Sequence, residues 1–262
     1  MPIRIAALYR YPVKGLSPER LARIKLLPGE CLPQDRRFAI ALAATRFDPA
    51  RPEWLPKSNF ATLMRDEILA ELQTRFDAES GILTIERQGQ TLFQTSITEP
   101  AGRDRAARFF GDFLRGRLQG PPRLLEAPGH AFSDARWEAN ATTYKYVSLV
   151  SLASIGALEK VVERPVDPIR FRANVYFEGL PAWRELDWIG TEIIAGSAAL
   201  RIVSAIRRCA ATQVNPATGV RDLDVVGDLQ RAFGHVTMGV YAEVVGGGEI
   251  AEDDTLVRPA VA

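Results

Sequence analysis

The chain is poor in the side chains that build metal clusters: its 262 residues include two cysteines and two histidines. Cys31 and Cys209 stand far apart, with no second cysteine or histidine at ligand spacing. That excludes a zinc ribbon and a cysteine-ligated iron–sulfur cluster. A disulfide between them stays open on the sequence alone but is not expected. Lysine is scarce as well, at Lys14, Lys25, Lys57, Lys145 and Lys160, so arginine carries most of the positive charge. With 33 basic and 32 acidic residues the formal charge is +1, and no global field points to nucleic acid or an anionic membrane. Any anion site must therefore be local. No apolar run approaches the length of a bilayer span, and MPIRIAALYRYPVKG lacks the layout of a signal peptide, so a cytoplasmic, soluble protein is expected. Nearly half of the residues are hydrophobic, enough for one large core or two moderate ones without disulfides or metals.

What is present is rich in β-structure. RIAALYRYPV, RRFAIALA, GILTIERQ and TLFQTSI carry alternating or β-branched apolar residues between turn formers and predict strands. Arg87-Gln88-Gly89-Gln90 predicts a hairpin turn, with Gly89 supplying the positive φ. RDRAARFFGDFLRG places Ala106, Phe109, Phe110 and Phe113 on one helical face. SLASIGALEKVVE does the same with Leu152, Ile155, Leu158 and Val162 behind a Ser151 cap. GPPRLLEAPGH carries two proline-bearing turns, and the polar segment that follows it to Tyr144 reads as a loop or connector. It sets a boundary between residues 1–120 and 121–262. Beyond it VSLVS, RANVYFE, TEIIAG, AALRIVSAI, TMGVYAEVV and TLVRP predict further strands. The expected fold class is mixed α+β, β-rich and barrel-like, because antiparallel strands at this spacing must close or cover their edges.

Cys209 lies in IRRCAATQVNPATGVRD, at a strand end and ahead of a turn-rich loop. Arg207 and Arg208 beside it make the setting electropositive, which favours the thiolate, the form that attacks electrophiles and ligates metals. The alternative, on composition alone, is a buried cysteine acting as a small hydrophobe. His235 in FGHVTMGVY could face a ligand or be a hydrogen-bonded structural residue, and Lys57 and Asn59 in WLPKSNF could rim a substrate site or sit in a solvated loop. Gly246-Gly247-Gly248 has no following helix and no Lys-Ser/Thr, so a flexible turn is expected rather than a phosphate cradle, with Asp253 and Asp254 as exposed acids.

Taken in order, Tyr11-Pro12-x-Lys14, Asp35-Arg36, FRANVYF and Cys209-x-x-Thr212 followed by Pro216-x-Thr218-Gly219 resemble the MOSC superfamily over nearly the whole chain. The resemblance implies an N-terminal β-barrel-like domain over 1–120 and a MOSC domain over 121–262. It also implies a molybdenum cofactor (molybdopterin), with Cys209 as metal ligand and catalytic residue. Lys14, Arg36 and Arg172 would contact phosphate or pterin, and Asn174 and Thr212 would add polar contacts. That set suits a cofactor with a soft metal and an anionic tail. Pyridoxal phosphate binding is a further property implied at the level of the family.

Gly15 stands where serine is common in relatives, Arg172-Ala173-Asn174 where arginine-proline-asparagine is usual, and Asn215 where aspartate is often found. The last change is expected to remove a negative charge near the metal. No carboxylate lies around Thr142 and Thr143, the nearest being Glu138, so no general acid or base is assigned. The activity implied is a molybdenum-dependent oxidoreductase that reduces N-hydroxylated or N-oxide small molecules. Since the chain ends at RPAVA without a cysteine cluster, electrons are expected from a separate electron-transfer protein or reductase, with no nucleic-acid or membrane partner. The alternative is a non-catalytic cofactor carrier or sulfur-relay protein. A barrel that has lost the cofactor is a third reading, against which the retained Cys209 motif argues.

Overall fold

The computed structural model describes residues 2–135 and 145–258. The expected loop up to Tyr144 and the acid sought near Thr142 and Thr143 lie outside those residues. Within the first half run β1 (Arg4–Arg10), β2 (Val13–Lys14), β3 (Glu19–Leu21), β4 (Arg23–Leu26), β5 (Phe38–Ala41), β6 (Gln73–Phe76), β7 (Ile82–Arg87) and β8 (Gln90–Ser96). The helix α1 (Pro100–Phe113) and β9 (Arg123–Glu126) follow. The second half holds β10 (Val147–Ser151), α2 (Leu152–Val162), β11 (Val175–Glu178), β12 (Glu192–Ala195), β13 (Ala198–Arg207), α3 (Val225–Phe233), β14 (Thr237–Gly246), β15 (Gly248–Ala251) and β16 (Leu256–Val257).

The molecule is β-rich with few helices, as its sequence patterning predicts. Eight strands form one sheet in the order β16-β12-β13-β14-β10-β11-β1-β3. All of its pairs are antiparallel except β10–β11, which α2 connects as a crossover. The sheet thus draws β1 and β3 from the start of the chain and β16 from its end. Period-two alternation covers both faces: Val175 and Phe177 enter one core with Leu149 and Val240, while Tyr176 turns to the other with Val150, Met238 and the buried faces of α2 and α3. Each fully buried Val, Leu or Phe contributes roughly 1.5–3 kcal/mol. A third core joins β5 and the meander β6-β7-β8 to Ala106 and Phe110 of α1. The β7–β8 turn has Gln88 at φ 54° and Gly89 at φ 75°, the left-handed pair that a two-residue hairpin requires.

Several local expectations are corrected. Between its two proline-bearing turns, RLLE forms a strand that the patterning does not predict, β9, pairing antiparallel with β5. α1 begins at Pro100, earlier than the apolar stripe indicates, since proline suits a helix's first position. Ser151 stands at the cap position of α2, yet its hydroxyl makes no capping bond and is buried without a partner among the described residues. RANVYFE becomes strand only at Val175, because Arg172 adopts a left-handed conformation at φ 50°. α3 was not expected; Asp224 caps it by accepting from Gly227 N at 3.2 Å.

Candidate functional site

Two chain segments bring the motifs together. After β1, Tyr11 donates its backbone N–H to Asp35 Oδ1 at 2.7 Å, and Arg36 N donates back to Tyr11 O at 2.7 Å. β2 then pairs in parallel with β5, Lys14 opposite Ala39. In the other half, β14 carries an irregular register against β13 near its start. Gly239 there takes φ 79°, where a Cβ would lie 2.3 Å from Leu149 O. Such a bulge bends the strand pair, and β13 delivers Cys209 just past its end, at the head of the 3-10 turn Ala210–Gln213.

These segments enclose a cavity of about 150 Å³. Lys14, Arg36, Arg172, Asn174, Cys209 and Thr212 all line it, and so do Lys57, Arg207 and Arg208. Cys209 is partly exposed, with its carbonyl held by Thr212 N at 3.0 Å and Thr212 Oγ1 at 2.9 Å. Among the described residues no group of three or more His, Cys, Asp or Glu side chains could hold a metal ion by itself.

The cationic residues differ in what they already contact. Lys14 is 4% exposed; its Nζ donates to Phe132 O at 2.9 Å and forms an ion pair with Asp134. Burial holds its pKa below the ordinary lysine value despite Asp134. Arg36 pairs with Asp35 and donates to Arg172 O at 2.9 Å. Arg172 has no ion pair or side-chain hydrogen bond among the described residues, and burial lowers its pKa. Its guanidinium and that of Arg36 share the Tyr11 ring. Arg208 is committed to Met238 O and to Phe171 O, the latter at 2.8 Å, while Arg207 is exposed.

The polar candidates divide the same way. Asn174 accepts from Ser148 Oγ at 2.8 Å and Ser148 N at 3.1 Å and donates to Tyr9 O at 3.1 Å. Its amide therefore cross-links β1 and β10 behind the cavity. Two residues that the sequence did not single out also stand on the cavity wall: Thr62 Oγ1 and Arg170 Nε are buried there with no hydrogen-bond partner among the described residues. Tyr241, also on the wall, has its phenol pushed up to about 12, first by burial. Gly15 takes φ 88° with Ala61 O 3.0 Å from where a Cβ would stand, so the backbone passes close to Thr62 and a side chain there would be strained.

Other candidates lie elsewhere. His235 packs against Trp183, ring centroids 4.9 Å apart, and its Nδ1 faces Thr237; it does not line the cavity. Asn59 donates to Pro56 O at 3.1 Å and is also off the wall. Asn215 donates to Asp222 Oδ2 at 2.9 Å rather than facing the cavity. Its amide answers a neighbouring carboxylate, which an aspartate would repel. The glycine run joins β14 to β15, and Gly248 is packed there, since a Cβ on it would meet the Ser197 backbone at 2.4 Å. Asp253 is exposed, but Asp254 is partly buried and accepts from Ala251 N at 2.8 Å. Cys31 lines the same cavity as Cys209.

Comparison with known proteins follows the same two segments. Residues 2–122 match the MOSC N-terminal beta barrel domain and residues 130–257 the MOSC domain. Mitochondrial amidoxime-reducing component 1 of Mus musculus is 35% identical over 74 residues, 28% of this chain and 21% of that protein. Its Homo sapiens counterpart is 28% identical over 132 residues, 47% of this chain and 39% of that protein. The matched region thus spans well under half the length of these relatives. Among solved structures, the YUAD protein from Bacillus subtilis is 13% identical with a TM-score of 0.44, covering 98% of this chain and 94% of that one. YiiM from Geobacillus stearothermophilus is 19% identical with a TM-score of 0.35, covering 43% and 53%. No helix among the described residues is long and apolar enough to cross a membrane. With its two domain models matched in order along nearly the whole sequence, the chain belongs to the MOSC superfamily.

Proposed function

We propose that the cavity holds a molybdenum cofactor and that the protein is an oxidoreductase reducing N-hydroxylated or N-oxide small molecules with electrons from a separate donor. One observation carries this reading: the uncompensated Arg172 and the partnerless Thr62 Oγ1 and Arg170 Nε line the same cavity as the Cys209 sulfur. Buried donors are nearly always satisfied, so a wall that leaves several unsatisfied suits a ligand rich in acceptors. A pterin with a phosphate tail supplies such acceptors, and its metal suits a soft sulfur.

Cys209 would hold the metal. Arg172, with Arg36 beside it, would hold the phosphate or pterin, and Thr62 would donate a further hydrogen bond. When bound, the cofactor supplies the two-electron transfer of oxygen from substrate. The chain itself fixes the thiol through the two Thr212 bonds to the Cys209 carbonyl, and Lys14 ties the wall through Phe132 and Asp134. The substrate class follows the name of the amidoxime-reducing relatives. Among the described residues no group of three or more His, Cys, Asp or Glu side chains could ligate a cluster, which is why the electrons are assigned to another protein or domain.

The test is metal and pterin analysis of freshly purified protein, followed by turnover with reduced viologen and an amidoxime or hydroxylamine. Bound molybdenum and pterin with multiple turnovers are expected. Loaded protein that oxidises no viologen with N-hydroxy compounds, N-oxides or sulfoxides, yet passes its cofactor to an apo-enzyme, would be a carrier instead.

A further inference from the structure

Arg221 ties together two parts of the cavity wall. One terminal nitrogen donates to Ala210 O, next to Cys209, at 2.8 Å. The other donates to Leu63 O at 3.0 Å and Met64 O at 2.9 Å, and lies 3.3 Å from Glu67 Oε2. Leu63 and Met64 line the cavity along with Cys209 and Ala211, so one guanidinium spans both segments. A planar fork holding three carbonyl oxygens is a charge-assisted contact that the point charge of a lysine does not reproduce.

The Pro216–Gly219 turn puts Arg221 there. Gly219 N donates to Asn215 O at 2.9 Å and Asn215 N to Val220 O at 2.8 Å, folding the chain back so that Arg221 bridges to Val214. Gly219 takes φ 72°, and a side chain on it would lie 3.3 Å from Glu67 O and 3.2 Å from Glu71 Cγ. The turn is thus seated on the segment that Arg221 grips. At the far end of the Cys209 turn, Arg170 donates to Gln213 O at 3.1 Å and to Asp222 Oδ1 at 2.6 Å.

We propose that Arg221 is a positioning residue for the Cys209 sulfur. It fixes the distance between the Cys209 turn and the Leu63–Met64 wall, and so sets how far the thiol is open to a ligand or reagent. The proposal rests on the reading of Cys209 as the ligand-bearing group, but its test needs no cofactor.

Apo-protein carrying Arg221→Ala or Arg221→Lys is treated with iodoacetamide, and alkylation of Cys209 and Cys31 is followed separately by peptide mass spectrometry. Cys31 is the internal control, since it lines the same cavity but contacts Asp35 O rather than the turn. In Arg221→Ala, Cys209 should react about tenfold faster, as loss of a charge-assisted contact predicts, with Cys31 unchanged. Guanidinium ion below denaturing concentration should restore the slow rate, and Arg221→Lys should fall between. An unchanged Cys209 rate, or an equal rise at both thiols, overturns the proposal. If Arg221→Ala does not fold, Arg221→Lys decides by the same criteria. Molybdenum content measured in parallel separates the two readings: a faster thiol in a protein that never binds molybdenum keeps Arg221 in its role and sinks the cofactor.

Discussion

The Arg172 guanidinium lies over the Tyr11 ring, 4.3 Å from its centroid, and Arg36 approaches the same ring at 4.7 Å. Asp35 balances Arg36, whereas no carboxylate among the described residues pairs with Arg172. Two neighbouring guanidinium groups repel, and an anion beside them relieves the repulsion. Arg172→Gln should therefore weaken pterin retention about tenfold or more, since a charge-assisted contact contributes roughly 1.5–3 kcal/mol. Pterin content after gel filtration checks this. Tyr11→Phe keeps the ring and loses the hydroxyl's bonds to Ala173 O and Tyr176, so its retention should stay near that of the parent.

Lys14 should behave differently from Arg172. Because its ammonium already bonds to Phe132 O and Asp134, Lys14→Met removes both contacts whether or not a ligand is present. The expected result is a destabilised apo-protein, by about 1–3 kcal/mol, measured in urea. Arg172→Gln in the same assay should be neutral or stabilising, because it removes an unbalanced cation.

The difference between these residues shows what the sequence carried and what it did not. Motif positions identify Lys14, Arg36, Arg172, Asn174, Cys209 and Thr212, and the fold brings all six to one cavity. Motifs do not say which side chains are already engaged. Asn174 is tied to Ser148 and Tyr9, and Lys14 to Asp134, by contacts across long sequence separations. Thr62 and Arg170 carry no local signal, because each matters only through the wall it shares with Cys209. The strands were legible from alternation, whereas β9 was masked by the prolines before it, and α3 has a cap but only nine residues.

Glu185 offers a pH test away from the cavity. It is fully buried; Ser154 Oγ donates to Oε1 at 2.7 Å, while Oε2 has no partner among the described residues. Burial raises its pKa above the ordinary 4.5. The folded state therefore binds this proton more tightly than the unfolded state, and stability falls as pH rises from about 4.5 through the folded pKa. Glu185→Gln should flatten that decline. Urea midpoints across this range decide it; parallel curves for parent and variant would remove Glu185 from the effect.

Cys31 and Cys209 share one cavity, which raises the question of a second thiolate ligand. Burial, with Asp35 adding to it, pushes the Cys31 thiol up to about 12. Near neutral pH it is therefore a protonated thiol, a poor metal ligand and a slow nucleophile. Cys31→Ala should keep molybdenum content and turnover, whereas Cys209→Ala should lose both while remaining folded. The linkage sign adds a check, since a thiol with a raised folded pKa costs stability as pH rises through its ordinary value of 9.0. Cys31→Ala should consequently lose less stability than the parent above that pH. Metal loss in Cys31→Ala equal to that in Cys209→Ala would instead make the pair of sulfurs the ligand set.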